Sequence, residues 1–182
     1  MGIAKGWESC YNFHMKDTRI FSYEPIADEN SRILILGTMP SVKSLEAGFY
    51  YAHPRNAFWP MMAEILNEPL PGTNEGKAAL LIRHGIALWD TMKSCVREGS
   101  LDSAMRKVEL NDFGEFFIRF PKIERVLLNG GAAWTLYHRL PVEIVNSRAC
   151  VKMPSTSPAY TMKYEKKLEI WNREISLGGE ML

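Results

Sequence analysis

The sequence predicts an α/β protein, a three-layer α/β/α sandwich around a central, mainly parallel sheet of four strands. Four short apolar runs rich in branched residues recur along the chain, and stretches with helical spacing separate them. That alternation is how a parallel sheet covered on both faces reads in sequence. Each run also passes into a polar or turn-forming segment, and in this architecture ligands bind beyond the carboxyl ends of the strands.

The first predicted strand is "RILILG" (32–37), which runs out into "GTMPS". Helical spacing follows in "AFWPMMAEIL" (57–66) and "GKAALLIRH" (76–84), joined by the Pro/Gly-rich "NEPLPGTN", a surface connection too short to separate two cores. The second strand, "GIALWD" (85–90), leads into "DTMKS", and the helical stretch "DFGEFFIRF" precedes the third, "ERVLLNG" (124–130). After "NGGAA" comes the helical "AAWTLYHRL", then the fourth strand "ACVKMP" (149–154), the turn "PSTSPA" and a last helix in "TMKYEKKLEIWNREI". Residues 1 to about 25 carry Trp7, Tyr11, Phe13 and Phe21, which predicts an arm packed on the body of a single domain spanning 1–182.

The 182 residues are 46% apolar and 24% charged, enough chain to bury a sizeable core. A formal net charge of +1 makes any polyanion site a local patch. Cys10, Cys95 and Cys150 cannot all pair and show no CxxC spacing, which suits a reducing compartment. His14, His53, His84 and His138 lack metal-ligand spacing, so no metal is expected. No apolar run reaches membrane-spanning length and "MGIAKGWESC" lacks the apolar region of a signal peptide, so the sequence predicts an intracellular, cytoplasmic protein without a membrane partner.

Several motifs lead away from chemistry. "GTNEGKAAL" is one residue short of a phosphate-binding loop and has Ala78 where a magnesium-holding hydroxyl belongs. In "LLNGGAA" the glycines suit either a phosphate at a helix N-terminus or a tight turn requiring positive φ. The segment that demands a function is "GTMPSVKSLEAGFYYAHPRNAFW" (37–59), with five aromatics beside His53, Arg55 and Asn56. Phe49, Tyr50, Tyr51, Phe58 and Trp59 are either core residues or faces for a nucleobase. Three hydrogen-bonding side chains do not help an apolar core.

Together "LILGTMPS", "HPRNAFW", "GIALWD", "LLNGG" and "MPSTSPA" resemble the uracil-DNA glycosylase superfamily, most closely its deoxyinosine (hypoxanthine) DNA glycosylase branch, from about residue 30 to about residue 175. "MPSTSPA" is also similar to the "MPSSS" loop of the thymine and mismatch-directed glycosylases. Two positions depart from the superfamily. Met39 stands where most members carry the Asp or Asn that handles the attacking water, and Met153 stands where uracil enzymes begin their last loop with His.

The resemblance implies a monofunctional glycosylase of base excision repair, without cofactor, acting as a monomer on double-stranded DNA that contains a deaminated base. By the same resemblance Asn56 is catalytic, holding the water, and Phe58 is the stacking platform, while Gly37, Thr38, Met39 and His53 belong to the base site. Asp90 either reads the base edge or caps a helix opened by "WDTMKS". Ser155, Thr156 and Ser157 suit phosphate contacts, Lys43, Arg55, Lys163, Lys166 and Lys167 supply positive charge, and Pro158, Ala159 or Tyr160 fills the vacated stack. Two other readings stand beside this one: a catalytically silent module that binds DNA or a nucleotide, and an unrelated α/β enzyme whose aromatic loop is core.

Overall fold

The computed structural model describes residues 19–97 and 105–179, with the backbone alone for 178 and 179. Most of the predicted arm, with Trp7, Tyr11 and Phe13, lies outside the described residues, as does Cys10.

The four predicted strands are present as β2 (Ile33–Gly37), β3 (Ile86–Asp90), β6 (Arg125–Asn129) and β7 (Ala149–Met153), all parallel, in the order β3-β2-β6-β7. Successive residues of a strand face opposite sides, and β2 uses both. Ile33 and Ile35 pack with Phe58, Trp59, Met61 and Met62 of α2 (Phe58–Ile65), Leu81 of α3 (Asn74–Arg83) and Trp171 of α7 (Tyr164–Gly179). Leu34 and Leu36 pack on the other face with Phe113, Phe116 and Phe117 of α4 (Phe113–Arg119) and Ala133 and Tyr137 of α5 (Gly131–Tyr137). Three layers result. Two short helices complete the chain, α1 (Val42–Ala47) after the first loop and α6 (Val142–Val145) before β7.

A second sheet is absent from the sequence reading. Strands β1 (Arg19–Phe21), β4 (Met92–Val96) and β5 (Arg106–Leu110) form an antiparallel sheet in the order β1-β4-β5. The β4 strand follows β3 after a single residue, Thr91, so "WDTMKS" opens a strand and Asp90 caps no helix. Thr91 is fully buried and binds the Gly37 carbonyl twice, through its N–H at 2.9 Å and its hydroxyl at 2.7 Å, which ties the first loop to the junction of the sheets. Phe21 lies in β1 with 56% of its surface exposed, so this ring of the predicted arm stands clear of the core.

The connecting segments follow local chemistry. In "NEPLPGTN", Thr73 N-caps α3 by accepting from Gly76 N at 3.1 Å, and that hydroxyl serves the helix. Gly130 has φ +99, so the glycine pair after β6 is the turn that needs positive φ. Among the described residues no helix is long and apolar enough to cross a membrane.

Candidate active site

Parallel register brings the ends of the strands together. Gly37 pairs with Asp90, Leu36 with Leu128, and Asn129 with Met153, so Asp90, Gly37, Asn129 and Met153 stand side by side along the carboxyl rim. From β2 the chain goes to β3 on one side and later to β6 on the other. The crevice above this reversal is where open α/β sheets bind ligands. A cavity of about 220 Å³ lies there, lined by the first loop from Gly37 to Ser41, by Tyr50, Tyr51 and Asn56, by Asp90 and Asn129, and by Ser155 to Ser157. It is smaller than the roughly 300–1,000 Å³ of sites for drug-sized ligands and suits a single ring system.

Asp90 is 3% exposed. Its Oδ2 accepts from the Ser22 hydroxyl at 3.2 Å, and its backbone carbonyl accepts from Asn111 Nδ2 at 2.8 Å. Around it, Tyr23 donates to the Ser44 carbonyl at 2.7 Å, and the Tyr50 hydroxyl lies 3.2 and 3.0 Å from the carbonyls of Tyr23 and Glu24. Burial pushes the Tyr50 phenol well above its ordinary pKa, and the Asp90 charge adds to the shift; the same two causes raise Tyr23. Both phenols therefore stay neutral beside the carboxylate.

Asn129 does most to hold the opposite wall. Its Nδ2 donates to Thr156 Oγ1 at 2.9 Å and to Tyr51 Oη at 3.0 Å, while its Oδ1 accepts from Thr156 N at 3.0 Å. The serine-rich turn is fastened further by Ala57 N to the Thr156 carbonyl (3.0 Å), Trp171 Nε1 to the Pro154 carbonyl (2.9 Å) and Lys167 Nζ to the Tyr160 carbonyl (2.9 Å). Lys167 is only 5% exposed, and burial pulls its ammonium below the ordinary lysine value. Its charge therefore holds the turn together from beneath.

The Thr156–Ala57 bond sets the "HPRN" segment against this turn. Asn56 lines the cavity, and its Oδ1 accepts from Phe58 N at 3.0 Å. A carbonyl oxygen has two lone pairs, so one remains for a second donor.

Of the residues picked from sequence, the structure gathers Gly37, Thr38, Met39, Asn56, Asp90, Ser155, Thr156 and Ser157 around one cavity. Others stand elsewhere. Phe58 is fully buried and outside the lining, with Tyr51 stacked on it at 4.2 Å between centroids, so its ring faces Tyr51 and the core. His53 also lies outside the lining, where its Nδ1 accepts from Arg55 N at 3.1 Å and shapes the loop. Met39 borders the cavity but is 7% exposed and packs with Met92, Cys95 and Leu136, an apolar position in which a carboxylate would be costly. Thr156 is 1% exposed with its hydroxyl on Asn129, so it anchors the turn. Pro158, Tyr160, Arg55, Lys163 and Lys166 are exposed and outside the lining, Tyr160, Lys163 and Lys166 bordering a separate surface cavity, and exposed Lys43 pairs with Glu46 at 2.7 Å. Ser155 and Ser157 are half-buried, and their hydroxyls accept from Ser157 N (3.2 Å) and Ala159 N (3.3 Å).

Asn129 carries no role in the sequence-based expectations, and Tyr51 stands there only as one of five aromatics that are either core or a nucleobase face. Asn129, like Asp90, is a single polar residue at the carboxyl end of an apolar strand, a pattern overshadowed by the glycines beside it. Tyr51 has φ +50, unusual for a bulky side chain and a strain of about 1–3 kcal/mol, which no sequence pattern announces.

The model of the uracil DNA glycosylase superfamily matches residues 24–175. The chain belongs to that superfamily and is a DNA glycosylase, a hydrolase acting on N-glycosyl bonds. It is similar to the hypoxanthine DNA glycosylase of Methanosarcina barkeri, 38% identical over 109 residues that cover 59% of this chain and 69% of that protein. The hypoxanthine DNA glycosylase of Methanosarcina acetivorans is 37% identical over 112 residues, 61% of this chain and 71% of the relative. A solution NMR structure of a Methanosarcina acetivorans protein, named as a candidate uracil DNA glycosylase, superposes with a TM-score of 0.73 at 31% identity, covering 87% of this chain and 99% of that one.

Proposed function

We propose that the chain hydrolyses the N-glycosidic bond of deaminated bases in DNA, hypoxanthine first among them, with a water held by Asn56. The observation that carries this is the convergence of Asn56, Asp90 and the serine-rich turn on a single base-sized cavity. The two relatives named as hypoxanthine DNA glycosylases support the choice of base.

Bond cleavage places positive charge on the sugar and negative charge on the departing base. Asn56 is neither nucleophile nor strong base. Phe58 N–H fixes its carboxamide, so the remaining Oδ1 lone pair accepts from a water and aims that water's oxygen at the sugar. Asp90 accepts the N1 hydrogen of hypoxanthine. Ser155 and Ser157 retain hydroxyl protons for flanking phosphates, and the exposed Arg55 and Lys163 add positive charge. Among the described residues no lysine lines the cavity, so the reaction stops at an abasic site and strand cleavage falls to another enzyme. Extrusion is easiest at a mispair, which favours deoxyinosine opposite thymine.

Duplexes carrying deoxyinosine, deoxyuridine or deoxyxanthosine, treated with the protein and then with alkali, test this directly. The expected result is abasic-site formation fastest at deoxyinosine, and about 100- to 1,000-fold slower in Asn56→Ala with folding and DNA binding retained. Tight binding with no base released from any duplex would leave a silent binding module in its place.

A further inference from the structure

We propose that DNA is gripped at a second point beside the rim: the surface cavity lined by Tyr160, Thr161, Met162, Lys163 and Lys166 takes one backbone phosphate of the strand whose base is extruded, between the ammonium groups of Lys163 and Lys166. This rests on the reading above that DNA is taken up at the carboxyl rim, and goes beyond it in placing a phosphate outside the base-sized cavity.

The two cavities are neighbours. Ala159 lines the base-sized one, and the next residue, Tyr160, lines this one of about 440 Å³. Their walls are therefore one residue apart, about 3.8 Å between Cα atoms, so the nucleotide next to an extruded one comes within reach of the second.

The cations there are unlike those elsewhere on the surface. The Lys163 carbonyl accepts from Lys167 N at 3.1 Å, so Lys163 stands at the first turn of α7, and Lys166, three residues on, shares its face and its cavity. Exposed Lys43, Arg83 and Lys93 are each neutralised by a glutamate. Lys163 and Lys166 are exposed too, yet among the described residues neither pairs with a carboxylate, and no carboxylate lines the cavity. Two like charges on one helix face repel, and an anion between them removes that repulsion.

The wall itself is fixed from beneath. Lys167 Nζ donates to the Tyr160 carbonyl at 2.9 Å and lies 5.3 Å from the centroid of the Tyr160 ring. The peptide that follows is trans, so the Thr161 N–H points away from the buried Lys167, to the side on which Thr161 is exposed. A backbone donor and two ammonium groups suit phosphate oxygens, while Met162 and the Tyr160 ring leave apolar surface for the deoxyribose.

Lys163→Met combined with Lys166→Met removes both charges and keeps the apolar stems. For a duplex holding an abasic-site analogue, the expected result is affinity about tenfold weaker at 0.1 M salt, with the slope of log K against log salt smaller by about 1. Exchanging single phosphates for neutral methylphosphonates locates the contact. One position beside the extruded nucleotide should cost the unsubstituted protein about tenfold and cost the double variant nothing further. Wild-type affinity and slope in the double variant, or a methylphosphonate penalty that is the same in both proteins at every position, would each overturn the assignment. These outcomes are read from binding alone, whereas the glycosylase reading stands or falls on base release by the unsubstituted chain.

Discussion

The two ends of the parallel sheet both place polar residues around a cavity, and they hold them in opposite ways. At the amino end an opening of about 610 Å³ is lined by Asp28, Asn30, Arg32, Arg83 and His84 among others, most of them at the surface. Beside it Glu68 pairs with Arg83 and with His84 Nε2 at 2.7 Å, side chain to side chain in contact with water. Even the partly buried pair at that end, Arg125 with Glu174 at 2.6 Å, joins β6 to α7 and contributes nothing to the cavity lining. At the carboxyl end the cavity is about a third as large, yet Asp90, Asn129 and Thr156 are all below 9% exposure, with Asp90 Oδ2 accepting from the Ser22 hydroxyl and Asn129 bonded to both the hydroxyl and the N–H of Thr156. Volume does not mark the site. Buried polar groups held in fixed directions do, because only they arrive at the transition state already oriented.

Cutting into each end sharpens that contrast. Asn129→Ala strips partners from the Thr156 N–H, the Thr156 hydroxyl and Tyr51, and should lower stability by about 1–3 kcal/mol. Denaturant unfolding checks this, and base release should fall with it because the serine-rich turn loses its tie to β6. Glu68→Gln should leave the neutral-pH melting temperature close to wild type and base release untouched, as exposed pairs contribute little. Its effect depends on pH. Hydrogen bonds from His84 and then Arg83 hold the Glu68 carboxyl below the ordinary carboxylate range, so what it contributes is present at neutral pH and is lost as pH falls through the depressed value. Melting curves across the acid range should therefore converge for Glu68→Gln and wild type.

The parallel sheet was legible in the sequence because each strand is a continuous branched apolar run, the pattern that burial on both faces imposes. The antiparallel sheet was not. Its strand "MKSCV" follows "IALWD" with one residue between them and no turn signal, and "RKVEL" is too polar to stand out. Asn56 stood out because hydrogen-bonding groups in an aromatic loop need a reason that packing does not supply, Asp90 stood out by resemblance, and both line the same cavity. Phe58 shows the limit of that logic: its type and position fit a stacking platform, but Tyr51, seven residues earlier, turns its ring between Phe58 and the cavity through a backbone angle that composition does not encode.

The central claim, that DNA and its everted base are taken up at the carboxyl rim, is tested most directly by following backbone amide shifts of the full chain on titration with a duplex carrying a non-cleavable 2′-fluoro deoxyinosine. The account predicts the largest changes at 37–41, 51–57 and 155–160. Changes concentrated instead at 28–33, 65–68 and 82–85, with the rim undisturbed, would contradict it.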